Sequence, residues 1–181
     1  FAVFNIKPLK NGERKRITME VEVEVKRVMF QINPEEIKPL SPIKKKEFGA
    51  FLENGRKYGL DSAIVAKKIK DAAKDEKNYY LKVRKIYSAL ADAIKYDRSG
   101  GWGAAPTVLE RGSGSCSEYT FSLVAMFRAA GVPARYVGAL VNRAKDGGLD
   151  FVFHRWAEIW LGEELGWVPV DANAGASKKP E

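Results

Sequence analysis

The sequence predicts an α+β fold in which a run of helices packs on an antiparallel sheet, with the lone cysteine at the start of a helix. Three observations carry that expectation. Apolar residues between positions 48 and 96 recur at separations of three and four, the spacing of one helix face. A strong apolar stripe follows Cys116 and is stopped by Gly131 and Pro133. Three alternating stretches rich in β-branched and aromatic residues then come in quick succession, and short connections favour antiparallel pairing.

Residues 17–32 alternate Val with Glu, which reads as a strand with one wet face. Pro34, Pro39 and Pro42 break the chain into an extended connector. Residues 1–40 are therefore expected to form an N-terminal β arm and Pro-rich connector, with a catalytic domain over 41–181. Phe48, Phe51 and Leu52 sit at helical spacing in a stretch that ends at Gly59. Asp61 and Ser62 can cap a second helix carrying Ile64, Val65 and Ile69. A third helix is expected over 78–96, with the stripe Val83, Ile86, Tyr87, Leu90, Ala91 and Ile94 facing the core. A loop over 98–106 leads through 107–111 into the Gly/Ser-rich turn before Cys116. The helix over 117–130 lines up Tyr119, Leu123, Met126, Phe127 and Ala130. Strands are expected over 134–142, 151–161 and 167–171, with turns at 146–148 and 163–166.

The chain has 181 residues, 45% hydrophobic and 30% charged, a balance that suits a folded domain and excludes wholesale disorder. No uncharged apolar run approaches the roughly 18–20 residues of a membrane-spanning helix. One cysteine allows no intrachain disulfide and no Cys-rich zinc site. There is no Gly-x-x-x-x-Gly-Lys phosphate loop and no Asp-rich calcium loop, so neither a cofactor nor a metal is expected.

The net charge of +8 lies in the first half: residues 1–100 hold 23 Lys/Arg against 14 Asp/Glu, and residues 101–181 hold 8 against 9. Acids interleave the lysines, as in Lys67-Lys68-Ile69-Lys70-Asp71. That pattern favours a solvated helix face over a nucleic-acid surface. Lys and Glu together number 35 while Gln occurs once, the compositional trend of thermophile proteins. The chain opens on Phe1 rather than Met, which reads as a fragment or processed form. Compartment and oligomeric state are not encoded in these features.

Cys116 follows a Gly/Ser-rich turn at a helix start. Unpaired first-turn amides and the positive end of the helix dipole stabilise a thiolate there. The same amides can donate to a developing oxyanion. His154, the only histidine, lies in an alternating strand with Trp156, Glu158 and Trp160 on its face. An imidazole beside the thiol can take its proton and return it to a leaving amine. Asp171 ends the next stretch, and a neighbouring antiparallel strand can bring its carboxylate to the second ring nitrogen. Nucleophile at a helix start, then His and Asp on successive strands, is far more specific than any one of them.

These residues resemble the transglutaminase-like superfamily, with its papain-like cysteine-enzyme core. The matching stretches are Gly114-Ser-Cys-Ser-Glu-Tyr119, then Leu123 through Arg128-Ala-Ala-Gly-Val-Pro-Ala-Arg135 to Gly138. They continue with His154-Arg-Trp-Ala-Glu158 and Gly166-Trp-Val-Pro-Val-Asp171. The resemblance covers roughly residues 78–175. It implies Cys116 as nucleophile, His154 as base and Asp171 as its orienting partner. The activity it implies is acyl transfer on peptide or protein amides through a thioester, ending in hydrolysis, deamidation or transamidation. Trp102, in the loop before the nucleophile, and Trp156 are candidate substrate-binding residues. Arg135 and Glu158 read as structural, and Trp167 as core packing. The alternative is a non-catalytic module of the same fold that binds protein or nucleic acid.

Overall fold

The structure is a computed structural model that describes residues 5–18, 20, 22, 24, 28–99, 101–140 and 153–175. The chain divides into two units, 1–30 and 31–181. In the first, the expected strand over 17–32 is not formed at the described positions; residues 19, 21, 23 and 25–27 lie outside them. Alternation fixes which face of a strand would be dry, but a strand also needs a neighbour for its ladder. What is ordered locally is a turn in which the Lys10 amide donates to Glu13 Oε2 at 2.9 Å.

The second unit begins with residues 31–40, whose Ile37 is buried in the core cluster. Pro42 does not extend the connector; it opens helix α1 (Pro42–Glu47), capped by Ser41 accepting from the Lys44 amide. A fixed φ suits Pro to a first helical turn. Phe48 ends α1, and Gly49–Phe51 form one 3-10 turn, so the helix expected around Phe48 and Phe51 is displaced towards the N-terminus. Helix α2 (Ala63–Ala73) starts after Ser62, and α3 (Tyr79–Ala93) after Asn78, whose side chain accepts from the Leu81 amide. Val65, Val83, Ile86 and Leu90 are buried on the expected stripes.

Strand β1 (Lys95–Tyr96) pairs in parallel with β2 (Ser113–Gly114). Between them lies helix α4 (Ala105–Arg111), where the sequence predicts only chain leading to the cysteine turn. Helix α5 (Cys116–Ala129) runs through the middle of the core: Tyr119, Leu123, Val124, Met126 and Phe127 are all fully enclosed. Gly131, at φ +80°, ends it in the left-handed conformation that glycine tolerates. Strands β3 (Ala134–Ala139), β4 (His154–Trp160) and β5 (Trp167–Val170) form an antiparallel sheet in the order β3-β4-β5. Helix α6 (Ala172–Gly175) follows. The expected turn at 146–148 and parts of two strands, 141–142 and 151–152, lie outside the described residues.

The sheet's two faces differ. Ala157 and Ile159 join the buried cluster with α5. The opposite parity carries Trp160, which meets Phe48 at 4.8 Å between ring centroids, and on the neighbouring strand Trp167, which meets Phe51 at 4.8 Å. Lys44 of α1 reaches Glu163 at 2.9 Å. Aromatic burial here holds the start of the second unit on the sheet. Among the described residues no helix is long and apolar enough to cross a membrane.

Candidate active site

Cys116 is the first residue of α5 and a free, partly exposed thiol. The first intrahelical bond runs from the Tyr119 amide to the Ser115 carbonyl at 2.9 Å. The Cys116 and Ser117 amides thus precede the helical ladder and point out of its positive end. The turn before the cysteine is fixed on both sides. The Lys95 amide donates to Gly112 O and the Asp97 amide to Gly114 O, each at 2.9 Å. Gly112 takes φ +70° to end α4.

Glu118 holds this turn from inside. It is 0% exposed and closes a capping box with Ser115. Its Oε2 accepts from the Ser115 amide at 3.0 Å and from Arg111 Nη2 at 2.9 Å, and its Oε1 from the Gly103 amide at 2.9 Å. Arg111 also donates through Nε and Nη2 to Ser113 O. A buried carboxylate is tolerated because an opposite charge and two amides meet it. Ser115 Oγ donates to Gly101 O at 3.3 Å. The loop bearing Trp102 is therefore tied to the cysteine turn by two bonds. Glu118, Arg111 and Gly103 are not among the site residues expected from the sequence. The Ser-x-x-Glu spacing of residues 115–118 is the capping-box signal that marks the first of them.

His154 and Asp171 come together across the β4–β5 pair. His154 Nε2 lies 2.5 Å from Asp171 Oδ2, and the side chains are 15% and 26% exposed. Asp171 is held in turn: its Oδ1 accepts from the Asn173 amide at 3.0 Å, and its backbone oxygen from the Tyr87 hydroxyl at 2.9 Å. Burial, with the Asp171 charge beside it, raises the Tyr87 phenol and keeps it a donor. The His154 ring stacks on Trp156, 6.1 Å away at 28°.

The Asp171 bond occupies Nε2 and leaves Nδ1 for other chemistry. Among the described residues no hydrogen bond joins Cys116 Sγ to His154. Such contacts are often long before substrate arrives. The expected set is thus one oriented His–Asp pair and one helix-start thiol, on β4 and α5, which pack against each other.

The remaining expected residues separate by surroundings. Trp102 is 57% exposed, with its ring 5.6 Å from Phe121. Trp156 is half-buried against His154. Arg135 and Glu158 sit opposite each other in register and form a forked ion pair at 2.6 and 2.7 Å, with Arg135 lying 4.3 Å over the Trp167 ring. Among the described residues no group of three His, Cys, Asp or Glu side chains is placed to hold a metal.

A helix-start thiol packed beside an antiparallel sheet that brings His154 to Asp171 defines a papain-like α+β arrangement. The family model for the transglutaminase-like superfamily matches residues 65–172, which include Cys116, His154 and Asp171. The chain belongs to that superfamily. A protein-glutamine gamma-glutamyltransferase of Pseudomonas aeruginosa is 33% identical over 91 residues, covering 47% of this chain and 14% of the relative. Two solved structures share the fold. One is a protein from Cytophaga hutchinsonii provisionally described as a cysteine protease, with a TM-score of 0.62, 21% identity, and 76% of this chain and 46% of that one covered. The other is the periplasmic domain of TgpA from Pseudomonas aeruginosa bound to ethylmercury. It has a TM-score of 0.54 and 21% identity, with 73% of this chain and 50% of that one covered. The chain thus spans about one seventh of the curated relative and about half of each solved structure.

Proposed function

We propose that residues 41–181 form a catalytic domain that cleaves or exchanges peptide or protein amides through a thioester on Cys116. The observation that carries this reading is the 2.5 Å contact of His154 Nε2 with Asp171 Oδ2, in a chain whose only cysteine begins a helix. Asp171 fixes the tautomer with the proton on Nε2, so Nδ1 is the basic nitrogen. Nδ1 takes the thiol proton and Cys116 Sγ attacks the amide carbon. The carbonyl oxygen becomes an oxyanion facing the first-turn amides of α5. As the C–N bond breaks, the imidazolium returns its proton to the leaving nitrogen, and Sγ holds the acyl group as a thioester. Water then releases an acid, or a primary amine releases a new amide; either step regenerates the thiol.

The glutamyltransferase among the relatives supports a glutamine carboxamide as one acyl donor. In this reading Trp102 and Trp156 line the substrate's path, supported by the exposure of Trp102 and the stacking of Trp156 on His154. The test is a mixed peptide library incubated with and without a small primary amine and read by mass spectrometry. Cleaved, deamidated or amine-coupled peptides are expected with the wild type and none with Cys116→Ala. Products that persist in Cys116→Ala would overturn the assignment.

A further inference from the structure

One side of the candidate site is built from an aromatic ledge with two cations. Trp102 stands in the loop bonded to the cysteine turn, and its indole is largely in solvent. It rests on Phe121 of α5, which is stacked on Tyr136 of β3 at 5.1 Å. The Tyr136 hydroxyl reaches Ser117 Oγ, beside Cys116, at 3.5 Å. From the other direction comes Arg155, the neighbour of His154, with its guanidinium 5.8 Å from the Trp102 ring centroid. Lys57 donates to the Trp102 carbonyl and stands 5.8 Å from the Phe121 ring centroid. The ledge thus runs from the residue after the thiol to the residue after the imidazole.

Among the described residues no acid balances the charges on this ledge. Arg111, Arg135 and Lys44 each reach a carboxylate. Among the described residues Lys57 and Arg155 reach none. Lys57 meets a carbonyl and a ring face, and Arg155 meets the Phe153 carbonyl at 2.5 Å and two ring faces. Carbonyl dipoles and π faces orient a cation without neutralising it. Two such cations flanking an exposed ring complement a chain that brings a carboxylate beside an apolar or aromatic side chain.

We infer that Lys57, Trp102 and Arg155 form a specificity subsite for acidic peptide segments flanking the amide that reacts. This rests on the reading that Cys116 is the nucleophile. Helix α2 carries Lys67, Lys68 and Lys70 against Asp71 alone, so a preference arising on the ledge is separable from that general positive charge by substitution.

The experiment uses fluorescently labelled decapeptides with one Gln and one Phe, flanked by Glu in one set and by Lys in the other. Binding to Cys116→Ala is read by anisotropy and turnover by the wild type is read by mass spectrometry. The Glu set should bind about ten-fold more tightly at low salt, and the gap should close towards about 0.5 M salt as screening shortens. Lys57→Gln with Arg155→Gln should remove the preference, Lys57→Glu should reverse part of it, and Lys70→Gln on the exposed face of α2 should leave it intact. Equal binding of the two sets, or an equal loss in Lys70→Gln, would overturn the subsite. Turnover without acidic preference refutes the subsite and keeps the enzyme reading. Acidic preference in binding without any turnover does the reverse.

Discussion

Arg111 and Glu118 are joined by a 2.9 Å ion pair that closes the end of α4 onto the start of α5. The carboxylate is wholly enclosed while the guanidinium side chain is 41% exposed, so only one member has left water. Removing the exposed partner leaves the enclosed charge with amide donors alone. Arg111→Ala should cost about 2–4 kcal/mol, below the cost of breaking a fully buried pair. Thermal melting should fall by roughly 5–15 °C for a domain of this size. An unchanged melting temperature would show that the amides suffice.

The glycines facing that carboxylate have no left-handed φ to account for them, so their role is close approach. A Cβ on Gly103 would lie 2.7 Å from Glu118 Oε1, and one on Gly114 would lie 2.9 Å from Glu118 Cβ. Gly101 has nothing within 4 Å of its Cβ position. Glu118 is pinned by three donors and has little room to yield. Gly114→Ala and Gly103→Ala should each destabilise by about 1–3 kcal/mol, while Gly101→Ala stays within about 0.5 kcal/mol. Urea titration of the three variants checks the contrast.

How much of this was legible before the structure depends on whether a signal is local. The start of α5 was, because its stripe is long and Gly131-Val-Pro133 stops it. The β4–β5 pairing was, because a short turn leaves antiparallel strands as the simple solution. That put His154 and Asp171 on neighbouring strands. Helix α4 was not, since seven residues with Pro at its second position and no capping side chain carry too little periodicity. The strand over 17–32 had the right alternation, yet pairing depends on a partner that its own residues do not specify. Glu118 could have been read from its spacing to Ser115. Its bonds to Gly103 and Arg111 could not, because they join three separate segments.

Asp171→Asn should keep the fold, because the side chain is nearly isosteric and the Asn173 amide can still donate to its oxygen. It should lower turnover by roughly ten- to a thousand-fold, equivalent to about 1.4–4 kcal/mol of barrier. The amide can hold the ring in the wrong tautomer and gives the imidazolium no charge. A serine triad loses about four orders of magnitude from this kind of change, but a thiol needs less help to ionise. Single-turnover kinetics beside circular dichroism would measure both sides. A folded, fully active variant would remove Asp171 from catalysis.

Tyr79, at the start of α3, has a buried hydroxyl without a hydrogen-bond partner among the described residues, and burial pushes its phenol up to about 12. An unfolded tyrosine ionises near 10. Between pH 10 and 12 the unfolded chain therefore loses this proton first and stability falls as pH rises. The contribution is fully present below pH 10. By pH 12 the wild type should have lost about 2 kcal/mol more than Tyr79→Phe. At pH 7 the Phe variant should be at least as stable, because it removes a polar atom that gains nothing. Parallel denaturation curves with no divergence above pH 10 would contradict this.

The β4–β5 hairpin keeps the His154–Asp171 pair and its loop at opposite ends. His154 begins β4 and Asp171 follows β5, whereas the turn joining the strands closes with the Gly166 amide on Gly162 O at 2.8 Å. Seven strand residues at about 3.3 Å each separate the two by roughly 20 Å. Chain length at residues 163–164 is consequently decoupled from chemistry. A flexible insert or a fused domain placed there should preserve Cys116-dependent turnover within about two-fold, since loop lengthening adds only a small entropic cost, and an assay of the fusion beside the parent would show it. That makes this turn the natural port for a label, a tether or a second binding module, and a site where related chains can diverge in length without retuning the histidine.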